Sequence, residues 1–175
     1  RSSRRPRVFD VMLLEGPELE VLEVRLHELS ATVDRFILIE GRRTVHGERK
    51  PTFFAEHRDT PRFANYRQQL LHYEIPELAY TQNGRSVRQS EIDRLHRTEM
   101  RAALRLAGVQ PGDVVLAGNA DEIPSASTLG LFVACEGWPS NATTVGLLLE
   151  PFVFSFELAV HSEPVGSSLG ALARV

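Results

Sequence analysis

Short apolar runs alternate with segments of helical periodicity along this chain. Residues 7–14 are almost all apolar around one acid, Asp10, and end at a Gly-Pro pair, which predicts a buried strand closed by a turn. Over residues 19–29, apolar side chains recur every three or four positions between charged ones, which predicts an amphipathic helix. The run 36–39, closed by Glu40, predicts a second strand. Strand, helix and strand at this spacing indicate a parallel crossover unit.

The middle of the chain contains a long polar connection followed by the clearest helix. Residues 41–67 carry two prolines and little periodicity, and we expect a partly irregular connection there. A third strand is predicted near 69–75, and a helix over 90–107 that ends at Gly108. A buried strand at 113–117 follows a Pro-Gly turn.

The last third of the chain continues the alternation and then loses it. A helix is predicted over 127–136, followed by strands near 145–149 and 152–158. The fold class is therefore α/β, with a largely parallel sheet and flanking helices. We expect one domain over residues 7–160 and an irregular tail over 161–175, where small residues leave no period.

Length and charge limit the classes of partner. A chain of 175 residues with 42% apolar content can bury one core, and its net charge of -3 gives no overall field that would attract nucleic acid. No apolar run approaches the roughly 18 to 20 residues that span a bilayer, so a soluble chain without a membrane-spanning segment is expected. Cys135 stands alone, which excludes an internal disulfide and a site of several thiolates. The triplet 141–143 matches the N-glycosylation sequon.

Oxygen-bearing side chains follow the predicted strand at 113–117. Asn119, Asp121 and Glu122 lie where ligands bind in open α/β sheets, beyond the carboxyl end of a strand. Oxygen ligands suit Mg²⁺ or Mn²⁺, which keep coordination positions for waters or substrate phosphates, so the pattern outlines a diphosphate site. Gly, Asn and Asp are also common turn residues, and an ordinary turn explains the same letters.

Arginines on the predicted helix, and acids at the predicted strand ends, are further candidates. Spacings of three and four stack four arginines on one helix face, where guanidinium groups suit phosphate oxygens or form a solvated face paired with Glu91 and Asp93. These arginines are Arg94, Arg97, Arg101 and Arg105, with Arg97 the best placed for a ligand. Asp10 and Glu40 are either ribose or uracil acceptors or structural acids. No zinc, Walker or dinucleotide motif occurs.

Four ordered stretches resemble glycosyltransferase family 17, the bisecting N-acetylglucosaminyltransferases. They are "ELEVLEVRLHELSATVDRFILIEG", "RRTVHGERKPTFF", "GDVVLAGNADEIPS" and "EPFVFSFEL". The third is the most specific, because the family typically has Asp-x-Asp-Glu-Ile-Pro after a strand. The first carries the family's Glu-Leu-x-x-Leu-Glu-x-Arg helix through residues that include Arg25 and Glu28.

The resemblance implies a fold, a donor and an acceptor. The fold is the A-type, Rossmann-like nucleotide-sugar-binding fold, here expected to be incomplete. The reaction implied is inverting β-1,4 transfer of N-acetylglucosamine from UDP-N-acetylglucosamine to the core mannose of an N-glycan, assisted by Mn²⁺ or Mg²⁺, in the Golgi or another secretory-pathway membrane. Carried over by position, Asp121 with Asn119 holds the metal, and the donor-binding residues are Arg25, Glu40, Arg97 and Glu122.

Two departures from the family keep an alternative open. Position 119 is Asn where the family usually has Asp, which removes one negative charge facing the cation. The family's region beyond the Ser-Phe-Glu strand has no counterpart here, and no general base can be placed. The alternative is a non-catalytic, truncated or decayed domain that at most binds UDP-sugar. A nucleotidyltransferase or nucleotide-sugar hydrolase uses the same diphosphate chemistry but has no matching motif.

Overall fold

The first third of the chain forms the predicted parallel crossover. The computed structural model describes residues 5–44, 46–82, 85–86, 88–134, 144–148, 152–153, 155–159 and 169–174. Strand β1 spans Val8–Leu14, helix α1 spans Leu19–Leu29 and strand β2 spans Arg35–Glu40. The two strands pair in parallel, as the spacing of strand, helix and strand predicts.

The polar connection 41–67 is more ordered than expected and leads to the third parallel strand. It contains helix α2, Phe53–His57, and a 3₁₀ helix, Pro61–Tyr66. Strand β3, Leu70–Glu74, pairs in parallel with β2. A second 3₁₀ helix, Glu77–Tyr80, precedes a small hairpin of β4, Thr81–Gln82, and β5, Arg85–Ser86.

The clearest predicted helix and the strand after it are confirmed. Helix α3 spans Gln89–Leu106, strand β6 spans Val114–Asn119 and helix α4 spans Ala126–Ala134. The later strands are β7, Thr144–Leu148, β8, Phe152–Val153, β9, Ser155–Ala159, and β10, Leu169–Arg174. Strands β8 and β9 pair with each other as an antiparallel ladder. Cys135 and the sequon 141–143 lie outside the described residues.

The main sheet has the order β3-β2-β1-β6-β10-β7, and its first four strands are all parallel. Helices flank this parallel part: α1 on one face, and α3, which packs against β1 and β2, on the other. The predicted α/β class with a Rossmann-like parallel sheet is confirmed. The chain leaves β1 toward β2 on one side, and β6 joins β1 on the other side, so the strand order reverses between β1 and β6.

Strand β10 departs from the irregular tail that the sequence predicts over residues 161–175. Leu169–Arg174 pairs antiparallel with both β6 and β7, so this segment lies inside the sheet. A strand inserted between two others is stabilised through backbone hydrogen bonds on both edges. Periodicity did not reveal this strand, because Gly170, Ala171 and Ala173 are small and leave no pattern of large apolar side chains. The structured unit therefore extends past the boundary predicted at residue 160.

Alternation along β1 assigns its side chains to the two faces of the sheet. Val8 and Met12 belong to the apolar cluster that contains the leucines of α1, and Phe9 and Val11 belong to the cluster that contains Ala103 of α3. Because side chains alternate along a strand, Asp10 faces α1 together with Val8 and Met12. An acid in the middle of an apolar strand thus lies under a helix, and its partner must come from that helix.

Among the described helices, none is long and apolar enough to cross a membrane.

Candidate functional site

The turn that follows β6 lies at the point where the strand order reverses. Asn119 is the last residue of β6 and is in register with Leu13 near the end of β1. The backbone turns directly afterwards, with the Glu122 N–H donating to the Asn119 carbonyl at 3.2 Å. The crevice beyond the carboxyl ends of parallel strands at such a reversal is the usual ligand-binding position in open α/β sheets. We call residues 119–122 the β6 turn.

Within the β6 turn, one acid closes the turn and another is exposed. Glu122 is 8% exposed, and its carboxylate accepts a hydrogen bond from the Asn119 backbone N–H at 2.8 Å and one from the Asn119 side-chain amide at 3.3 Å. Asp121 and Asn119 are exposed. Because the Asn119 amide nitrogen donates to Glu122, its amide oxygen remains an acceptor, two residues before Asp121 in the same turn.

These two oxygens suit a divalent cation that is shared with a ligand. Within the described ranges, no group of three or more His, Cys, Asp or Glu side chains is arranged to hold a metal ion. Mg²⁺ and Mn²⁺ commonly take one or two protein oxygens and complete their coordination with waters and substrate phosphates. Asp121 and Asn119 are therefore too few for an all-protein cage, and could hold a cation only together with waters or a bound ligand.

Arg25 of α1 connects the β6 turn to β1. Its Nε and Nη2 donate to the two carboxylate oxygens of Asp10 at 2.8 and 2.7 Å, which is a bidentate pair. Its Nη1 donates to the backbone carbonyls of Asn119 at 2.7 Å, Ala120 at 3.3 Å and Glu122 at 2.9 Å. The side chains of Arg25 and Asp10 are both fully buried. The charge of each is compensated only because the other is present.

The predicted donor contact of Arg25 stays a prediction, because its guanidinium contacts this chain's own backbone beneath the turn. The same holds for Glu122, whose carboxylate is directed at Asn119. Glu28, one helical turn after Arg25, accepts a hydrogen bond from the Ala126 N–H at 2.7 Å, at the start of α4. Sequence reasoning assigned no role to Glu28, although the spacing from Arg25 to Glu28 places both on one side of α1.

Glu40, at the end of β2, caps the start of α2. Its carboxylate accepts hydrogen bonds from the backbone N–H groups of Phe54 at 3.0 Å and Ala55 at 3.2 Å, and lies 3.2 Å from His72 Nε2. Burial alone raises the pKa of the Glu40 carboxyl, but hydrogen bonds from His72 and the two N–H groups, with the charge of Lys50, outweigh it and lower the pKa below its ordinary value. Its predicted donor contact stays a prediction.

This lowered pKa gives Glu40 a pH-dependent contribution to stability. A carboxyl with a depressed folded-state pKa stabilises fully above its ordinary value of 4.5, and loses that contribution as pH falls from there through the lower folded value. We expect the difference in unfolding free energy between wild type and Glu40→Gln to be constant near neutrality and to shrink below pH 4.5. Urea denaturation at a series of pH values measures it.

Glu74→Gln is the matched control for Glu40→Gln. Glu74 ends the neighbouring strand β3, and its side chain is 38% exposed in an ion pair with Arg42. An exposed pair of this kind contributes little. The control should therefore differ little from wild type at every pH. A Glu40→Gln difference that stayed constant to low pH would show that the ionised form of Glu40 carries no stability.

Arg97 lies on the exposed side of α3, as do Arg94, Arg101 and Arg105. No ion pair within 4.0 Å joins any of these four arginines to a described acidic side chain. The side chain of Asp93 lies outside the described part. No hydrogen bond or ion pair joins Arg97 to the β6 turn among the residues described. Its predicted role in donor binding therefore remains a prediction.

Lys50 is a cation near the same edge of the sheet that was noted only as part of a motif. Its Nζ donates to the carbonyl of Leu14, the last residue of β1, at 3.3 Å. Burial lowers the pKa of Lys50, partly offset by the carboxylates of Glu40, Glu18 and Glu15. The sequence between Glu40 and Lys50 contained no signal of the contact between Lys50 and Leu14. That contact depends on how the connection after β2 folds back over β1.

Comparison of the sequence with known proteins identifies relatives of this chain. Three curated proteins match over 145 residues, which is 82% of this chain and 25% of each relative. All are named beta-1,4-mannosyl-glycoprotein 4-beta-N-acetylglucosaminyltransferase: those of Homo sapiens and Rattus norvegicus are 28% identical to this chain, and that of Mus musculus is 27% identical. The chain spans a quarter of the length of these relatives. The sequence model of glycosyltransferase family 17 matches residues 1–172, and the chain belongs to that family.

Proposed function

We propose that this chain binds the diphosphate of UDP-N-acetylglucosamine at the β6 turn, with Mn²⁺ or Mg²⁺ held by Asp121 and the amide oxygen of Asn119. One observation carries the proposal: an exposed carboxylate and an exposed amide end a parallel strand at the reversal of strand order, on a turn that buried charges hold from below. The transferred sugar is taken from the names of the relatives, and UDP as its carrier is what the resemblance to the family implies.

The chemistry proposed is transfer of N-acetylglucosamine from that donor to an N-glycan mannose, in a secretory compartment. A cation held at this turn would supply positive charge that stabilises the departing UDP. Asp121 and Asn119 would hold it and orient the diphosphate, while Glu122 and Arg25 keep the turn closed beneath them. The proposal assigns no residue of this chain to the acceptor or to the general base, and the chain spans a quarter of the length of its relatives.

One contact favours a second candidate, a domain that binds donor weakly or not at all. The Asn119 side-chain amide donates to Glu122 at 3.3 Å, so the turn is closed by its own side chains without a cation. An Asp at position 119 would instead bring a second carboxylate toward Glu122. This arrangement is unfavourable until a cation compensates the two charges.

Asn119→Asp therefore distinguishes the two candidates. In a metal-binding turn we expect this substitution to lower the melting temperature in metal-free buffer, because a hydrogen bond becomes a repulsion. We also expect it to tighten Mn²⁺ binding by about tenfold, because the cation gains one anionic ligand. Thermal melts with and without Mn²⁺, and calorimetric titration with Mn²⁺, measure the two effects.

Asn119→Ala is the control, because it removes the same hydrogen bond without adding a charge. It should lower the melting temperature and gain no Mn²⁺ affinity. If Mn²⁺ stabilised neither wild type nor Asn119→Asp, the metal site would be rejected and the non-catalytic candidate would be favoured.

A further inference from the structure

We infer that Arg25 is a positioning residue for the metal-binding oxygens, and that it acts through the backbone of the β6 turn and makes no contact with the donor. For the identity of the ligand, the inference rests on the proposed function. It rests on the structure for the contacts: three carbonyls of one turn accept from a single guanidinium nitrogen, and the other two nitrogens are held by Asp10.

Arg25 has a fixed orientation. A bidentate pair with a carboxylate holds the plane of a guanidinium, and both side chains are fully buried. Asp10 is itself fixed in the middle of β1, between two parallel neighbours. Nη1 is therefore presented to the β6 turn by a side chain that a helix carries and a strand residue orients, and not from a loop.

The accepting carbonyls lie on both sides of Asp121. Arg25 holds the carbonyls of Asn119 and Ala120 before it and of Glu122 after it. The peptide bonds on the two sides of Asp121 are those formed by the Ala120 and Asp121 carbonyl groups. The direction of the Asp121 side chain therefore depends on a backbone that is anchored both before and after it. Residues that orient ligands from behind commonly change metal affinity without touching the metal.

Helix α1 also anchors the end of the segment that follows the β6 turn. Glu28 accepts from the Ala126 N–H, where α4 begins. Arg25 and Glu28 are three residues apart on one helix, so a single rigid element holds residues 119–126 at two points. The chain between the β6 strand and α4 has little freedom to move before a ligand binds, and preorganisation of this kind favours binding.

Arg25→Lys tests the inference, because it keeps the charge beside Asp10 and removes the fork that reaches the carbonyls. We expect amide hydrogen exchange of residues 119–126 to rise by about tenfold or more, and the Mn²⁺-dependent affinity for UDP-N-acetylglucosamine to fall by about tenfold to a hundredfold. Exchange in β2 and β3 should stay within about twofold of wild type.

Arg7→Lys is the matched control at the opposite end of β6. Arg7 makes the same kind of contacts, with the Asp113 carboxylate at 2.8 Å and the Gly108 carbonyl at 2.6 Å. It should loosen residues near 108–114 and leave donor affinity unchanged. Glu28→Ala is the second variant, whose exposed position spares the core. It should raise exchange at the start of α4 and weaken donor binding less than Arg25→Lys.

The two readouts separate failure of the inference from failure of the proposed function. Unchanged amide exchange at residues 119–126 in Arg25→Lys would overturn the positioning role. A donor affinity that fell no further in Arg25→Lys than in Arg7→Lys would overturn it as well. If wild type bound no donor with Mn²⁺, the proposed function would fail. The exchange result would then still decide whether Arg25 holds the turn.

Discussion

Asp121→Ala is expected to weaken Mn²⁺-dependent binding of UDP-N-acetylglucosamine by about a hundredfold or more, equivalent to about 2.8 kcal/mol. The substitution removes the exposed carboxylate of the β6 turn and leaves the contacts of Arg25 and Glu122 with that turn intact. Calorimetric titration of the purified variant with donor, with and without Mn²⁺, measures the loss. Stability in urea should change little, because an exposed side chain is removed.

Asp59→Ala is the control for Asp121→Ala. The Asp59 side chain is 81% exposed and, within the part of the chain that the structure describes, makes only ion pairs of 3.7 Å with Arg58 and Arg67. The control removes one exposed aspartate from the chain and should leave donor affinity unchanged. Equal affinities in wild type and Asp121→Ala would mean that the β6 turn is only a turn.

Asp10→Asn is expected to lower the free energy of unfolding by about 3 to 5 kcal/mol. The substitution keeps the shape of the side chain but leaves the fully buried Arg25 guanidinium without its counter-charge. Uncompensated burial of a charge is among the costliest single changes in a folded protein. Urea denaturation at pH 7 measures the change.

Two comparisons show whether the buried charge is the cause. Asp113→Asn breaks the pair with Arg7, whose side chain is 35% exposed and keeps access to water, so its cost should be smaller. Joining Asp10→Asn with Arg25→Met removes the unpaired charge and should recover part of the loss, although the turn carbonyls then lack their donor. A double variant less stable than Asp10→Asn alone would contradict this explanation.

Periodicity predicted most of the elements that position the site. The apolar run around Asp10 and the three-and-four spacing of the α1 leucines each led to the correct element, because one face of each is buried against the other. Strand β10 was not predicted, since it is stabilised in the sheet by backbone pairing on both edges, which contains no side-chain period.

The position of the β6 turn was predicted from the sequence, but its internal contacts were not. The strand before Asn119 placed the β6 turn at the carboxyl edge of the sheet, and the structure has it there. That Arg25 is directed at backbone carbonyls, and Glu40 at the start of α2, depends on tertiary geometry between segments distant along the chain. A single sequence shows that a charged residue interrupts an apolar pattern, but not which group compensates it.

The most direct test of the central claim is paramagnetic broadening of backbone amide resonances by Mn²⁺ in the presence of UDP-N-acetylglucosamine. Mn²⁺ broadens signals of nearby nuclei, so it reports where the cation binds as well as whether it binds. We expect the resonances of residues 119–122 and of Leu13 and Leu14, at the end of β1, to broaden first, while those of residues 108–114 at the opposite end of the sheet persist. Uniform broadening, or broadening centred away from the β6 turn, would contradict the proposed donor site.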